Sequence, residues 1–428
     1  MIHMLCRQKQ TPTSNWIRWP ILFASLLNWS ILAQSSPALT LPQLLKMLEP
    51  YNPSLAASQA RRESAQGALE TAQQYPNPTL EGGAGRAKER FDGGRNGDSA
   101  IVILSQPLDY PFIREARRQV AEAGIVSADE ANRSIWISVR AVTRQAFYEI
   151  LRRKAELDIA EANERLLQQI REKVQLKVEV GEAPRYEEVK AMAEWMNSVK
   201  IKETAQVRVE DAKSALHALF GGALPYPFEV EGELPPLPKE LPPIESLRDE
   251  VLAHQPVLQQ TRAEVVRTRA KLGYEQDLRY PQVTVVGAVE RDPGLDRWQL
   301  GVSVPLPLWN LRQGQIREAS ADLTEAEARA AQQELTVIRE LENAWNRYRI
   351  AYRQVETFEA GLLKQAENTL KVAEAAYRLG ERGILDYLDA QRVFRSVSID
   401  YLNARFDRQT ALIDLERLRA TELKDNLP

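Results

Sequence analysis

Along the last part of the chain, apolar and small residues recur at alternating steps of three and four. Tyr387, Ala390, Phe394, Val397, Tyr401, Ala404, Ala411, Leu415 and Leu418 form one seam, with Arg408 as its polar intruder. This 3.5-residue period predicts a long helix with a neighbouring helix beside it along its whole length. The small residues allow close approach, and an antiparallel hairpin within the chain is one expected neighbour. Other segments repeat every second residue. Trp298, Leu300, Val302, Val304 and Leu306 alternate with Gln299, Gly301 and Ser303, while Val283, Val285 and Val289 lie opposite Thr284, Ala288 and Glu290. Ala100, Val102 and Leu104 alternate less cleanly with Ile101, Ile103 and Ser105, and residues 79–87 are weak and rich in glycine. These patterns predict strand pairs over about 79–106 and 282–305. Each strand has roughly ten residues, the length a tilted strand needs to cross a bilayer. Tyr75, Tyr110, Phe112, Tyr280 and Trp309 stand where the chain enters and leaves the pairs, and Trp298 stands near a far end. That is the placement of aromatic girdles, although alternation this short also fits a soluble hairpin.

Proline marks where helices can run. None occurs between Pro111 and Pro184, between Pro184 and Pro225, or between Pro307 and Pro428. Proline inside a helix costs about 3 kcal/mol, so these gaps predict long helices, the first on the order of 100 Å. Seven prolines crowd into 225–243, which reads as an extended linker between two similar halves. The halves share ordered landmarks. "PYNPSL" answers "AHQPVL", "QYPNPTL" answers "RYPQVTV", and "LSQPLDYP" answers "VSVPLPLW". Each half then has a glycine break, "VEVGEAPRYEEVKA" at 178–191 and "YRLGERGILDYLDA" at 377–390. The plan is helix, strand pair, long helix, break, long helix, made twice. It assigns 39–224 to a first repeat, 225–243 to the linker, 244–421 to a second repeat and 422–428 to a tail. The tip turns fall at about 181–184 and 380–383.

Composition narrows the function. The 428 residues carry a formal charge of −3, which gives no footprint for nucleic acid. Residues 1–38 read as a secretory leader, with Arg7, Lys9 and Arg18 before an apolar run at 19–33 and candidate cut residues Ala33, Ser35 and Ala38. An uncleaved anchor is the alternative. Cys6 is the only cysteine, and His217 and His254 are the only histidines beyond the leader. No disulfide, metal site, cofactor or catalytic constellation is therefore expected. Met192 and Met196, four apart, read as core packing rather than a metal-binding stripe. No later segment is apolar enough for a membrane helix, so entry into a membrane would be by strands.

Four strands cannot close a barrel, and an open sheet edge cannot face lipid. Membrane strands would thus have to be pooled between copies. Two copies would leave an interior filled by side chains, whereas three, with twelve strands, would leave a conduit. The helices would extend from it as a hollow cylinder, with the glycine breaks at its far tip.

The duplicated plan, with "VGEAPRYEEVKA" and "YRLGERGILDYLDA" at the turns, resembles the TolC family of outer-membrane efflux proteins over about residues 39–421. The resemblance implies a mostly α chain with a small membrane β part. It also implies long coiled-coil hairpins, four transmembrane strands per chain, and a homotrimer with a twelve-stranded barrel and an α-helical barrel. The location would be the bacterial outer membrane, among its lipids, with a periplasmic tunnel. The partners would be a periplasmic adaptor (membrane-fusion) protein and an inner-membrane pump. Asp386 and Asp389, three apart on one helix face, stand where the family has its entrance constriction. In a trimer they would form two stacked acidic rings that attract cations. Tyr377 and Arg382 match the family's gate latch, with Tyr186 and Glu187 as the partners on the first turn. Tyr186 replaces what is often a smaller hydroxyl residue. Gly181, Gly380 and Gly383 fit positive-φ turns and place backbone within an adaptor's reach.

The expected function is a passive exit duct, with cargo that leans to small molecules or cations. The alternatives are a soluble periplasmic adaptor with a helical hairpin and a purely structural coiled coil.

Overall fold

The computed structural model describes residues 38–88, 96–235 and 241–421. Most of the proposed leader, with Cys6, Ala33 and Ser35, lies outside the described residues, as does the tail. Ala38 lies inside them, in a two-residue strand, β1 (Ala38–Leu39).

The first repeat follows as α1 (Leu41–Tyr51), α2 (Pro53–Gln73), β2 (Thr79–Ala87), β3 (Gly97–Pro107), α3 (Pro111–Glu179) and α4 (Arg185–Leu219). A short strand β4 (Glu229–Val230) precedes the second repeat. That repeat runs α5 (Ile244–His254), α6 (Pro256–Asp277), β5 (Thr284–Asp292), β6 (Leu295–Ser303), α7 (Gln313–Thr357), α8 (Leu363–Arg378) and α9 (Ile384–Arg419). Both repeats run as a pair of short helices, a strand pair, a long helical arm, a glycine break and a long helix. Prolines Pro53, Pro111 and Pro256 open helices, where the missing N–H costs nothing. The 69 residues of α3 make a rod about 100 Å long. No described helix is long and apolar enough to cross a membrane.

The four longer strands form one antiparallel sheet in the order β2-β3-β5-β6. Leu80 pairs with Leu104, Leu104 with Gly287, and Gly287 with Leu300, so these residues form a row on one face. That face is apolar and exposed. Val102, Leu104 and Val289 lie on it, with Trp298 at 82% and Leu300 at 76% exposure. On the opposite face Ile101 and Ile103 are half-buried and Ala288 is buried, while Arg297 pairs with Glu290 at 3.1 Å. β2 and β6 each have a strand on one side only among the described residues. At the base of the sheet Tyr110 stacks on Phe112 (5.4 Å), Phe112 meets Tyr280 edge-on (5.5 Å), and Tyr110 Oη donates to the Pro281 carbonyl at 3.1 Å.

Two findings correct the expectations from sequence. Residues 225–235 of the proline-rich segment are not simply an extended spacer, while 236–240 lie outside the described residues. Leu224, Phe228 and Val230 are buried in the first core with Leu44, Leu48, Phe147 and Leu216. β4 also pairs in parallel with β1, Ala38 opposite Glu229 and Leu39 opposite Val230. Large apolar side chains beside and between the prolines drive this burial, and proline outside a helix does not prevent it. The second helical rod, moreover, is not continuous. A π-helical turn at Phe358–Leu362 separates α7 from α8, and Gly361 there has φ +146°. Such a value is accessible to glycine and strained for other residues.

The waist is tied electrostatically as well. Lys154 and Lys213 both donate to Glu229, Lys213 at 2.8 Å. Partial burial pushes the Glu229 carboxyl up, but hydrogen bonds from Lys154 and Lys213 outweigh it and hold the group below its ordinary value. A depressed folded pKa adds stability above the unfolded value of about 4 and loses it as pH falls through the folded one. Glu229→Gln is therefore expected to lower the melting temperature at pH 7 and leave it nearly unchanged at pH 3. Scanning calorimetry across that range checks the expectation. Parallel losses at both pH values would remove the charge from the account.

Candidate functional site

The two glycine breaks are built bond for bond alike. In the first, the N–H of Val180 donates to Leu176 (3.1 Å), Gly181 to Val178 (3.1 Å), and Glu182 and Ala183 to Lys177 (2.8 and 3.2 Å). In the second, Leu379 donates to Ala375 (3.0 Å), Gly380 to Tyr377 (3.2 Å), and Glu381 and Arg382 to Ala376 (2.9 and 3.3 Å). These bonds satisfy carbonyls that the ending helices α3 and α8 leave open. Gly181 and Gly380 have φ of +80° and +76°, as expected for the left-handed residue after a helix cap. Gly383 departs from the expectation. Its φ is −75° and its ψ 166°, and it is the extended N-cap of α9, matching Pro184 before α4. A residue starting a helix needs extended backbone, so the left-handed requirement falls on one glycine per turn.

The hairpins α3/α4 and α8/α9 pack on each other just above these turns. Leu167, Ile170 and Val174 of α3 share a core with Ala191 of α4 and with Ile384, Tyr387 and Leu388 of α9. α3 and α9 also exchange a buried hydrogen bond between Gln391 and Asn163. Along α4 the buried line is Ala191, Ser198, Ala205 and Val209, at coiled-coil steps. Met192 and Met196 fall beside it and are exposed, against the core packing expected of them.

Tyr377 is the most constrained of the expected latch residues. Its ring stacks on Tyr387 at 6.0 Å, and Lys177 Nζ lies 4.8 Å from its centroid. Its buried hydroxyl has no hydrogen-bond partner among the described residues. Burial raises its pKa, and the nearby charge of Glu187 raises it further. The structure thus places Tyr377 within the electrostatic reach of Glu187 without a hydrogen bond. Burial also pushes the Tyr387 hydroxyl up to about 12, with a smaller push from Glu374. Tyr186 points outward and is exposed.

Asp386 and Asp389 are exposed on the first turns of α9. Each has an arginine on its own chain, Arg382 at 3.7 Å from Asp386 and Arg392 at 3.6 Å from Asp389. Within one chain Arg382 therefore pairs from the tip turn to the first turn of α9 and not with Glu187. Arg392 also reaches Glu194 of α4 at 2.8 Å, bridging the two hairpins. Sequence reasoning missed Arg392, Lys177 and Tyr387 as parts of this site. The spacing of three from Asp389 was the available signal for Arg392. Lys177 is placed by the meeting of two hairpins, which no local spacing reveals.

Comparison with known proteins covers nearly all of the described chain. A family model described as outer membrane efflux protein matches residues 44–222 and 247–421. The cobalt-zinc-cadmium resistance protein CzcC of Cupriavidus metallidurans is 25% identical over 388 residues, covering 90% of this chain and 91% of that protein. A membrane protein from Pseudomonas aeruginosa has the same fold, with a TM-score of 0.78 at 20% identity over 89% of this chain and 90% of that one. The Campylobacter jejuni CmeC outer membrane channel has it too, with a TM-score of 0.76 at 16% identity over 95% and 94%.

Proposed function

From the premise that this chain belongs to the outer membrane efflux protein family, and is an outer-membrane efflux channel, we propose how it is assembled and gated. Membership replaces the soluble-adaptor alternative. Members of the family work with a periplasmic adaptor and an inner-membrane pump.

Three copies pool their four-stranded sheets into one twelve-stranded barrel. The observation that carries this reading is the sheet itself, which among the described residues has two open edges and an exposed apolar face. Unpaired backbone groups cannot face hydrocarbon, and pairing β6 of one copy with β2 of the next removes every edge. The helical hairpins continue as a periplasmic tunnel whose tip is formed by the two glycine turns. Asp386 and Asp389 ring its entrance, and Arg382, Tyr377, Glu187 and Tyr186 contribute weak links between hairpins. Links made by the exposed members, Arg382 and Tyr186, are each worth about 1 kcal/mol or less, which suits a gate that a docking partner must open. The adaptor engages the backbone around Gly181, Gly380 and Gly383. CzcC is named for cobalt, zinc and cadmium resistance, and the acidic entrance here is compatible with cationic cargo.

Native mass spectrometry of the detergent-extracted protein is expected to show a trimer. A stable detergent-free monomer, with its sheet covered by its own helices, would overturn the barrel.

A further inference from the structure

Well above the tip turns, α3, α4 and α9 enclose a groove of about 470 Å³. Ile159, Ile201 and Ile399 give it an apolar floor. Five cations line it, Arg152, Arg153, Lys200, Arg208 and Arg395, against one acid, Glu156.

Two of the five are neutralised locally. Arg152 bonds to Glu149, Glu156 and Asn403, and Arg153 to Glu149 and Glu156. Lys200, Arg208 and Arg395 make no ion pair and no side-chain hydrogen bond among the described residues. What sets the three apart is their place around one apolar floor, with Lys200 and Arg208 exposed and Arg395 half-buried. Three unpaired cations around one apolar floor repel one another, and an anion seated between them relieves that repulsion. A bare inorganic anion would leave the floor wet, and an uncharged hydrocarbon would leave the cations unanswered.

We propose that this groove binds an amphipathic organic anion, with its head between Lys200, Arg208 and Arg395 and its compact apolar body on Ile159, Ile201 and Ile399. A volume of this size holds a body of one or two fused rings. Asn403, which lines the groove, follows Asp389 by fourteen residues, two heptads along α9. The two share a face of the helix. The groove's place on the wall of the duct rests on the reading of Asp389 given above, whereas the binding itself does not. Cations would be drawn to the tip, and organic anions would be held further along the wall.

The test is calorimetric titration of the full-length protein in a non-ionic detergent with naphthalene-1-sulfonate, after subtraction of a micelle blank. One saturable site per chain is expected. Lys200→Ala with Arg395→Ala should weaken binding by about a hundredfold or more, since the hydrogen bond from each cation to the sulfonate is worth about tenfold or more. Lys200→Gln with Arg395→Gln preserves more of the side-chain packing if the alanine pair fails to fold. Lys371→Ala, on α8 away from the groove, should leave binding unchanged. Absence of saturable heat, equal affinity in the paired variants, or equally tight binding of uncharged naphthalene-1-methanol would each overturn the proposal. Dissociation of the paired variants into monomers would assign the groove to an acidic strip of a second copy and overturn it too. Asp386→Ala with Asp389→Ala should leave sulfonate binding intact, so failure of the entrance reading and failure of the groove are told apart.

Discussion

Replacing Asp386 and Asp389 together by alanine is expected to lower the cation-over-anion permeability ratio of the protein in a planar bilayer several-fold. The concentration of a trivalent cation needed for half block should rise by about tenfold or more, because a ring of like charge around a narrow opening concentrates counter-ions by that order. Three copies would place six carboxylates around one entrance. The structure also provides a control for this experiment. Arg382 lies 3.7 Å from Asp386, and Arg392 lies 3.6 Å from Asp389. Each acid is thus partly offset by its own chain. Arg382→Ala alone should shift the ratio the other way, toward stronger cation preference. Identical selectivity in the wild type and the aspartate pair would remove the acidic rings from the mechanism.

Leu300→Arg is expected to be the most damaging single exposed substitution in the chain. In one copy Leu300 is 76% exposed, and at an ordinary wet surface such a change is worth about 0.5 kcal/mol or less. Facing lipid near the middle of a bilayer, an arginine costs about 2–4 kcal/mol, and a trimer would carry three. Gln299→Arg, one residue away on the opposite face of β6, should assemble. The measurement is the fraction of folded barrel after reconstitution into vesicles, read by heat-modifiable mobility on a semi-native gel. Equal yields from the two variants would mean that the exposed apolar face does not meet lipid.

Much of the fold could be read from the residues because its features are periodic or punctuated. Proline gaps located the long helices, and the seam from Tyr387 to Leu418 is buried or half-buried throughout in the folded chain. The turn glycines Gly181 and Gly380 were legible because a left-handed residue leaves a compositional mark. What escaped notice depends on packing between distant segments. Phe228 and Val230 looked like part of a spacer, since nothing local says that Phe147 waits for them. The break at Gly361 left no mark in the periodic pattern, and the position of α3 that aligns with it through the turn glycines, Ala162, lies within a continuous helix. At the site, the positions of Asp386 and Asp389 were legible from their spacing. The environment of Tyr377 was not, because Lys177 reaches it from the other hairpin.

The 69 residues of α3 run as one uninterrupted helix. A rod without internal breaks acts as a ruler, and its span fixes how deep the mouth of the conduit hangs below the outer membrane. Matched loss of one heptad from each descending and returning arm would lift that mouth by about 10 Å while keeping every seam in step. Whatever machinery meets it from the opposite membrane must therefore be cut to the same gauge, and depth as well as surface chemistry would decide which machinery fits.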